Sequence, residues 1–158
     1  MKTNIISAFP ACGKTYCYKN LQKDFDGIID SDSSQFSWVV KNGEKQRNPD
    51  FPQNYIKHIK ENIGKVEIIF ISSHDVVRQA LKDNNIEYTL IYPAINQKEE
   101  WIKRFKDRGD DDKFINFISN NWSNFIIDME KEKYPVKIKL PHQGENFITK
   151  DLLLNISK

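Results

Sequence analysis

The chain runs to 158 residues, 39% hydrophobic and 29% charged, which fits one globular domain with a real core and excludes a disordered chain. Its formal net charge of +2 is too small to argue for long nucleic acid or a membrane surface as partner. No apolar run approaches the ~20 residues that span a bilayer, no signal peptide is expected, and Cys12 and Cys17 fit neither a disulfide framework nor a zinc spacing, so a reducing, cytoplasmic setting is expected.

No repeat, low-complexity tract or linker divides residues 1–158, which are read as a single domain. The first apolar run, Asn4 to Ala8, ends in a loop holding Pro10 and Gly13 and reads as a strand. A helix follows from about Gly13 towards Leu21 or Lys23. Gly27-Ile28-Ile29-Asp30 reads as a second short strand. Residues 33–65 form an insert with its own helix near Asn54–Ile63, whose Tyr55, Ile56, Ile59 and Ile63 share one face. Val66 to Ser72 is β-branched and almost wholly apolar, as a parallel strand covered on both faces requires. A helix over Asp75–Lys82 and a strand over Tyr88–Tyr92, stopped by Pro93, come next. Residues 96–129 read as a helical hairpin: Asn96 and Glu99 make a capping box, Trp101, Ile102 and Phe105 one apolar face, and Phe114, Phe117, Ile118, Trp122, Phe125 and Met129 the other. A strand at Val136–Leu140 and a helix at Thr149–Ile156 complete the chain. Strands alternating with helices predict a three-layer α/β fold around a mainly parallel sheet.

The segment Ala8-Phe9-Pro10-Ala11-Cys12-Gly13-Lys14-Thr15 is a Walker A sequence with alanine in place of the first glycine. A strand before it and a helix after it give the context in which loop amides cradle phosphates at a helix N-terminus. Gly13 permits close backbone approach, Lys14 reaches the β- and γ-phosphates, and the Thr15 hydroxyl is a Mg²⁺ ligand. Pro10, Ala11, Cys12 and Tyr16 complete the expected nucleotide-binding segment. Helix-terminal amides and a phosphate-binding charge lower a thiol pKa in such a place, so Cys12 is read as a loop-filling residue open to an oxidant or alkylator.

With this loop in place, the order of the remaining features resembles the nucleoside monophosphate kinase superfamily of P-loop kinases. The resemblance covers most of the chain, and its specific part is the Walker A segment. It implies a P-loop NTPase fold with a five-stranded sheet in the order 2-3-1-4-5, an acceptor-binding segment after the second strand, an arginine-bearing lid hairpin, and ATP and Mg²⁺ as cofactors. Asp30 and Asp32 close the second strand. One carboxylate accepts a hydroxyl proton or orients the acceptor and the other holds Mg²⁺ through water, or both simply cap a polar strand end. Phe36 and Trp38 either stack on a base or pack under the loop, and Arg47 either binds an acceptor phosphate or lies in solvent. Arg78 is a further acceptor contact. The strand at Val66–Ser72 ends in Ser72-Ser73-His74-Asp75 rather than an aspartate, so it departs from the Walker B pattern and leaves the second metal ligand open. Arg104 and Arg108 lie four apart on one helix face, opposite Trp101 and Phe105. They act as arginine fingers or form a solvated charged face.

The expected function is therefore phosphoryl transfer from ATP to a small acceptor, a nucleoside or deoxynucleoside monophosphate first. Lys14, Asp32, Arg104 and Arg108 are the expected catalytic groups, Asp30, Asp32, Phe36, Trp38, Arg47 and Arg78 the acceptor-binding ones, and Thr15 the metal ligand. The rival readings are a kinase of a non-nucleotide metabolite or nucleic-acid 5′ end, and a non-catalytic ATP-binding regulator.

Overall fold

A computed structural model describes residues 1–158. In chain order the elements are β1 (Asn4–Ala8), α1 (Lys14–Asn20), β2 (Ile28–Asp30), the single-turn α2 (Ser34–Ser37), β3 (Trp38–Lys41), β4 (Glu44–Arg47) and α3 (Gln53–Asn62), followed by β5 (Ile68–Ser72), α4 (Asp75–Asp83) and β6 (Thr89–Pro93). A 3₁₀ turn at Ile95–Gln97 then leads into α5 (Lys98–Asp107), α6 (Asp112–Lys131), β7 (Val136–Leu140) and α7 (Lys150–Ile156).

Five strands form one sheet in the order β2-β5-β1-β6-β7, with every pair parallel. Counting only the strands of this sheet, the order is the expected 2-3-1-4-5. Successive strand residues point to opposite faces, yet Ile5, Ile6, Ser7 and Ala8 are all buried, as are Ile68 through Ile71. Both faces of the centre are therefore covered, which is why these strands read as unbroken apolar runs. Because all five strands run the same way, their carboxyl ends share one edge. The chain passes from β1 to one side of the sheet and later to the other, which opens a crevice at that edge beside β1. No helix is long and apolar enough to cross a membrane.

Several local expectations change. In the insert, Tyr55, Ile56 and Ile59 are buried, but Ile63 lies past the end of α3 and is 43% exposed. Val66 stands outside β5, and Pro93 is the last residue of β6 rather than its stop, paired with Leu140. The Asn96–Glu99 capping box does not form. The chain makes the 3₁₀ turn first, and α5 begins at Lys98 with no side-chain cap. The cap that does form is Asp111 on α6, accepting from the Phe114 amide at 2.8 Å. The insert also holds a hairpin of β3 and β4 that the sequence reading passed over. Its turn, Asn42-Gly43, has φ of 54° and 78°, the paired positive values of a type I′ turn, for which Asn-Gly is the strongest short-range signal.

Candidate functional site

The Walker A segment bends around carbonyl groups that are held from outside. The Pro10 carbonyl accepts from the Trp101 indole at 2.9 Å, the Ala11 carbonyl from Arg104 Nη1 at 3.0 Å, and the Cys12 carbonyl from the Ile148 amide at 2.9 Å. A peptide unit points its N–H away from its C=O. Turning three consecutive carbonyls outward therefore turns the amides of Ala11, Cys12 and Gly13 inward, and none of them donates to a protein group. The first amides of α1 add to this set, since a helix start has no internal acceptors for them. Gly13 has φ of 105° and Ala11 has φ of 64°, both in the left-handed region. Ala8, by contrast, is an ordinary residue of β1 in register with Ser72 and Ile91, so the first position of the motif needs no glycine here.

Lys14 donates from Nζ to the carbonyls of Ala8 at 3.2 Å and Ile71 at 3.4 Å, at the ends of the two central strands. Desolvation lowers its pKa below the ordinary lysine value, with Asp30 opposing the shift. Thr15 Oγ1 donates to Asp30 Oδ2 at 3.3 Å. This hydroxyl and carboxylate are the hard oxygen donors that Mg²⁺ takes, and no set of three His, Cys, Asp or Glu side chains forms a cage of its own. An ion here would rely on Thr15, Asp30, phosphate oxygens and water, which is how Mg²⁺ is commonly bound beside a nucleotide.

These groups line a cavity of about 1140 Å³ at the carboxyl edge of the sheet, volume enough for two ligands side by side. Asp30 and Asp32 line it from the end of β2, Ser72, Ser73, His74 and Asp75 from the end of β5, and Arg104 and Arg108 from α5 and its end. The serines are tied down: Ser72 Oγ donates to Ser33 Oγ at 2.7 Å, and the Ser33 amide donates to Ser72 Oγ. Asp32 accepts from the Ser34 amide through one oxygen, at 2.9 Å. The His74 imidazole is held below the usual histidine pKa by desolvation and then by the charge of Lys14, so it is neutral at neutral pH. Across from these groups stand Phe114, Phe117, Ile118, Phe125 and Met129 of α6.

Among the residues the sequence singled out, Lys14, Thr15, Tyr16, Asp30, Asp32, Arg78, Arg104 and Arg108 meet in this one cavity. Phe36, Trp38 and Arg47 do not line it. Phe36 packs on Tyr55 and His58 in the insert, and Arg47 lies over the Trp38 ring at 4.2 Å. Arg78 is buried and committed to other groups: it pairs with Glu132, and Nε donates to the Ser73 carbonyl at 2.8 Å. Tyr88 donates to the second oxygen of Glu132 at 3.0 Å.

The two lid arginines do not stand opposite the aromatic face. Arg104 lies over Trp101 at 3.9 Å and over Phe147 at 3.8 Å, and Arg108 over Phe105 at 5.3 Å, because neighbours three apart on a helix meet. Cys12 is fully buried, and desolvation pushes its thiol pKa up to about 12, the reverse of the expected activation.

Two groups escaped the sequence reading. Phe147 is half exposed at the loop and lines the cavity. Tyr55 donates to the Ser31 carbonyl at 2.6 Å and accepts from the Ser72 amide at 3.4 Å, joining the ends of β2 and β5. Neither carries a local signal, since each acts through residues distant in sequence.

No family model and no curated protein matches the sequence. Among solved structures, the fold is similar to that of a gluconokinase from Sinorhizobium meliloti 1021. The TM-score is 0.56 at 11% identity, over 99% of this chain and 91% of that one. The likeness shows a shared α/β fold around a mainly parallel five-stranded sheet.

Proposed function

We propose that the protein is an ATP- and Mg²⁺-dependent phosphotransferase that moves the γ-phosphoryl group onto a hydroxyl of a small acceptor. The outward turn of the Pro10, Ala11 and Cys12 carbonyls carries this reading, because it leaves a ring of inward amides next to Lys14. In the reaction these amides and Lys14 hold the β- and γ-phosphates. Thr15 and Asp30 would hold Mg²⁺, which would supply charge neutralisation at the phosphates. Phe147, half exposed and backed by Arg104, offers a flat surface beside the loop on which a base stacks. Asp32 keeps one carboxylate oxygen for the acceptor. The acceptor oxygen bonds to the γ-phosphorus as the bond from that phosphorus to the β–γ bridging oxygen breaks. ADP leaves with the electron pair, and the hydroxyl proton passes to Asp32. Arg108, at the hairpin tip, stabilises charge on the transferred group, and closure of the hairpin excludes water.

A small metabolite alcohol fits better than the nucleoside monophosphate expected from the sequence. The aromatic and basic groups assigned to a nucleotide acceptor lie off the cavity or are paired. The likeness to a gluconokinase supports the same preference. The test is ADP release with ATP and Mg²⁺ across a panel of acceptors, with Lys14→Ala as control. Acceptor-dependent release, lost in the control, is the expected result. ATP binding without release by any acceptor would replace this reading with a regulatory one.

A further inference from the structure

The phosphotransferase reading leaves the acceptor open, and the walls of the cavity narrow it. Its cations all have local partners. Arg78 is ion-paired with Glu132, Arg104 is bound to the Ala11 and Asn146 carbonyls, Arg108 pairs with Asp110, and Lys14 donates to the strand-end carbonyls of Ala8 and Ile71 beside the loop amides. The carboxylates Asp30, Asp32, Asp75 and Asp128 come from the ends of β2 and β5 and from α6. Facing them, α6 presents Phe114, Phe117 and Phe125, with Phe117 57% exposed in the cavity wall. A carboxylate or phosphate on the acceptor would lose water against like charge and find no uncommitted cation. A ring, an apolar face or an ammonium group meets aromatic faces and carboxylates instead.

Resting on that reading, we propose that the acceptor is an alcohol without negative charge that presents a ring or apolar face, with amine-bearing alcohols preferred over neutral ones. This sets the protein apart from kinases of sugar acids or nucleotides, whose acceptors carry an anion. Arg47 and Lys45, outside the cavity, both lie over the Trp38 ring and would have to leave it to serve an anion.

The test compares amino alcohols and amino sugars, neutral polyols and nucleosides, and sugar acids and nucleoside monophosphates. Each is followed by equilibrium binding in the presence of Mg²⁺ and a non-hydrolysable ATP analogue, and by ADP release with ATP. Cationic acceptors are expected to bind tightest and anionic ones weakest. Asp128 is exposed on α6, so Asp128→Lys leaves the fold intact. Relative to neutral acceptors, it should weaken cationic ones about fivefold and strengthen anionic ones. The proposal is overturned if an anionic acceptor has the highest kcat/KM, or if Asp128→Lys moves all three classes equally. Binding in the expected order without ADP release would keep the acceptor class and remove phosphoryl transfer. ADP release driven by an anion would do the reverse. Absence of binding and release for every class would overturn both.

Discussion

The proposed phosphate end of the cavity is made from one continuous segment, Pro10 to Thr15, and its groups are largely backbone amides. The proposed acceptor end is made from side chains that come from β2, β5 and α6, and no short stretch of sequence holds them together. Backbone amides have a fixed spacing, so a loop of them can serve any nucleoside triphosphate. Side chains on separate elements can be exchanged one at a time, so that end is where specificity is set. The difference also divides the arginines. Arg104 belongs to the structure of the loop through Ala11, Arg78 to a buried pair, and Arg108 alone stands at the hairpin tip, 44% exposed, paired with its neighbour Asp110 and lying over Phe105.

Substitutions at the two ends should separate these roles. Lys14→Ala should reduce turnover by about 10²–10³-fold while leaving the melting temperature nearly unchanged, since it removes a charge aimed at phosphate rather than a packing group. Loss of stability without loss of turnover would show that the two strand-end carbonyls, not phosphate, are its main partners. Arg78→Ala should cost about 3–5 kcal/mol in urea unfolding, because Glu132 is left without its counter-charge. A small stability change with a raised acceptor KM would return Arg78 to the acceptor site. Tyr55→Phe should cost about 1 kcal/mol and loosen the link between β2 and β5, seen as faster hydrogen exchange at Ser72.

The smallest expected effect is at Cys12. The native thiol should resist iodoacetamide at pH 8 and react after unfolding, as mass spectrometry would show. Its pKa is raised from 9.0 to about 12 by burial, so the neutral thiol is the form that folding favours. Its contribution to stability is full below pH 9.0 and is lost as pH rises towards about 12. Rapid labelling of the folded protein would mean that the loop opens.

Fold and loop were legible in the sequence for the same reason: both rest on local patterns. Largely apolar runs at Asn4–Ala8 and Ile68–Ser72 signal covered strands, and Gly13-Lys14-Thr15 signals a loop whose chemistry is backbone chemistry. The insert was harder. Asn42-Gly43 carried a clear turn signal, but β3 leaves Val40 exposed and β4 is polar and exposed throughout, so neither shows the alternation that marks a half-buried strand. The fates of Arg78 and Arg104 could not be read at all, since Glu132, Phe147 and the Ala11 carbonyl are brought to them only by folding. Arg104 also shows how a helical pattern misleads: four-residue spacing places Arg104 and Arg108 on a common stripe, but says nothing of the three-residue neighbours that guanidinium groups stack upon.

The anchoring of the loop has a mechanical consequence. Trp101 and Arg104 grip the Pro10 and Ala11 carbonyls, so α5 as far as Arg104 behaves as a buttress of the loop and cannot swing without deforming it. Any opening and closing stroke of the hairpin is therefore confined beyond Arg104, with its pivot near Asp107–Gly109, where α5 ends and Gly109 takes φ of 83°. If the hairpin closes as proposed, it would act as a fixed jaw with a short hinged tip, with Arg108 at the pivot.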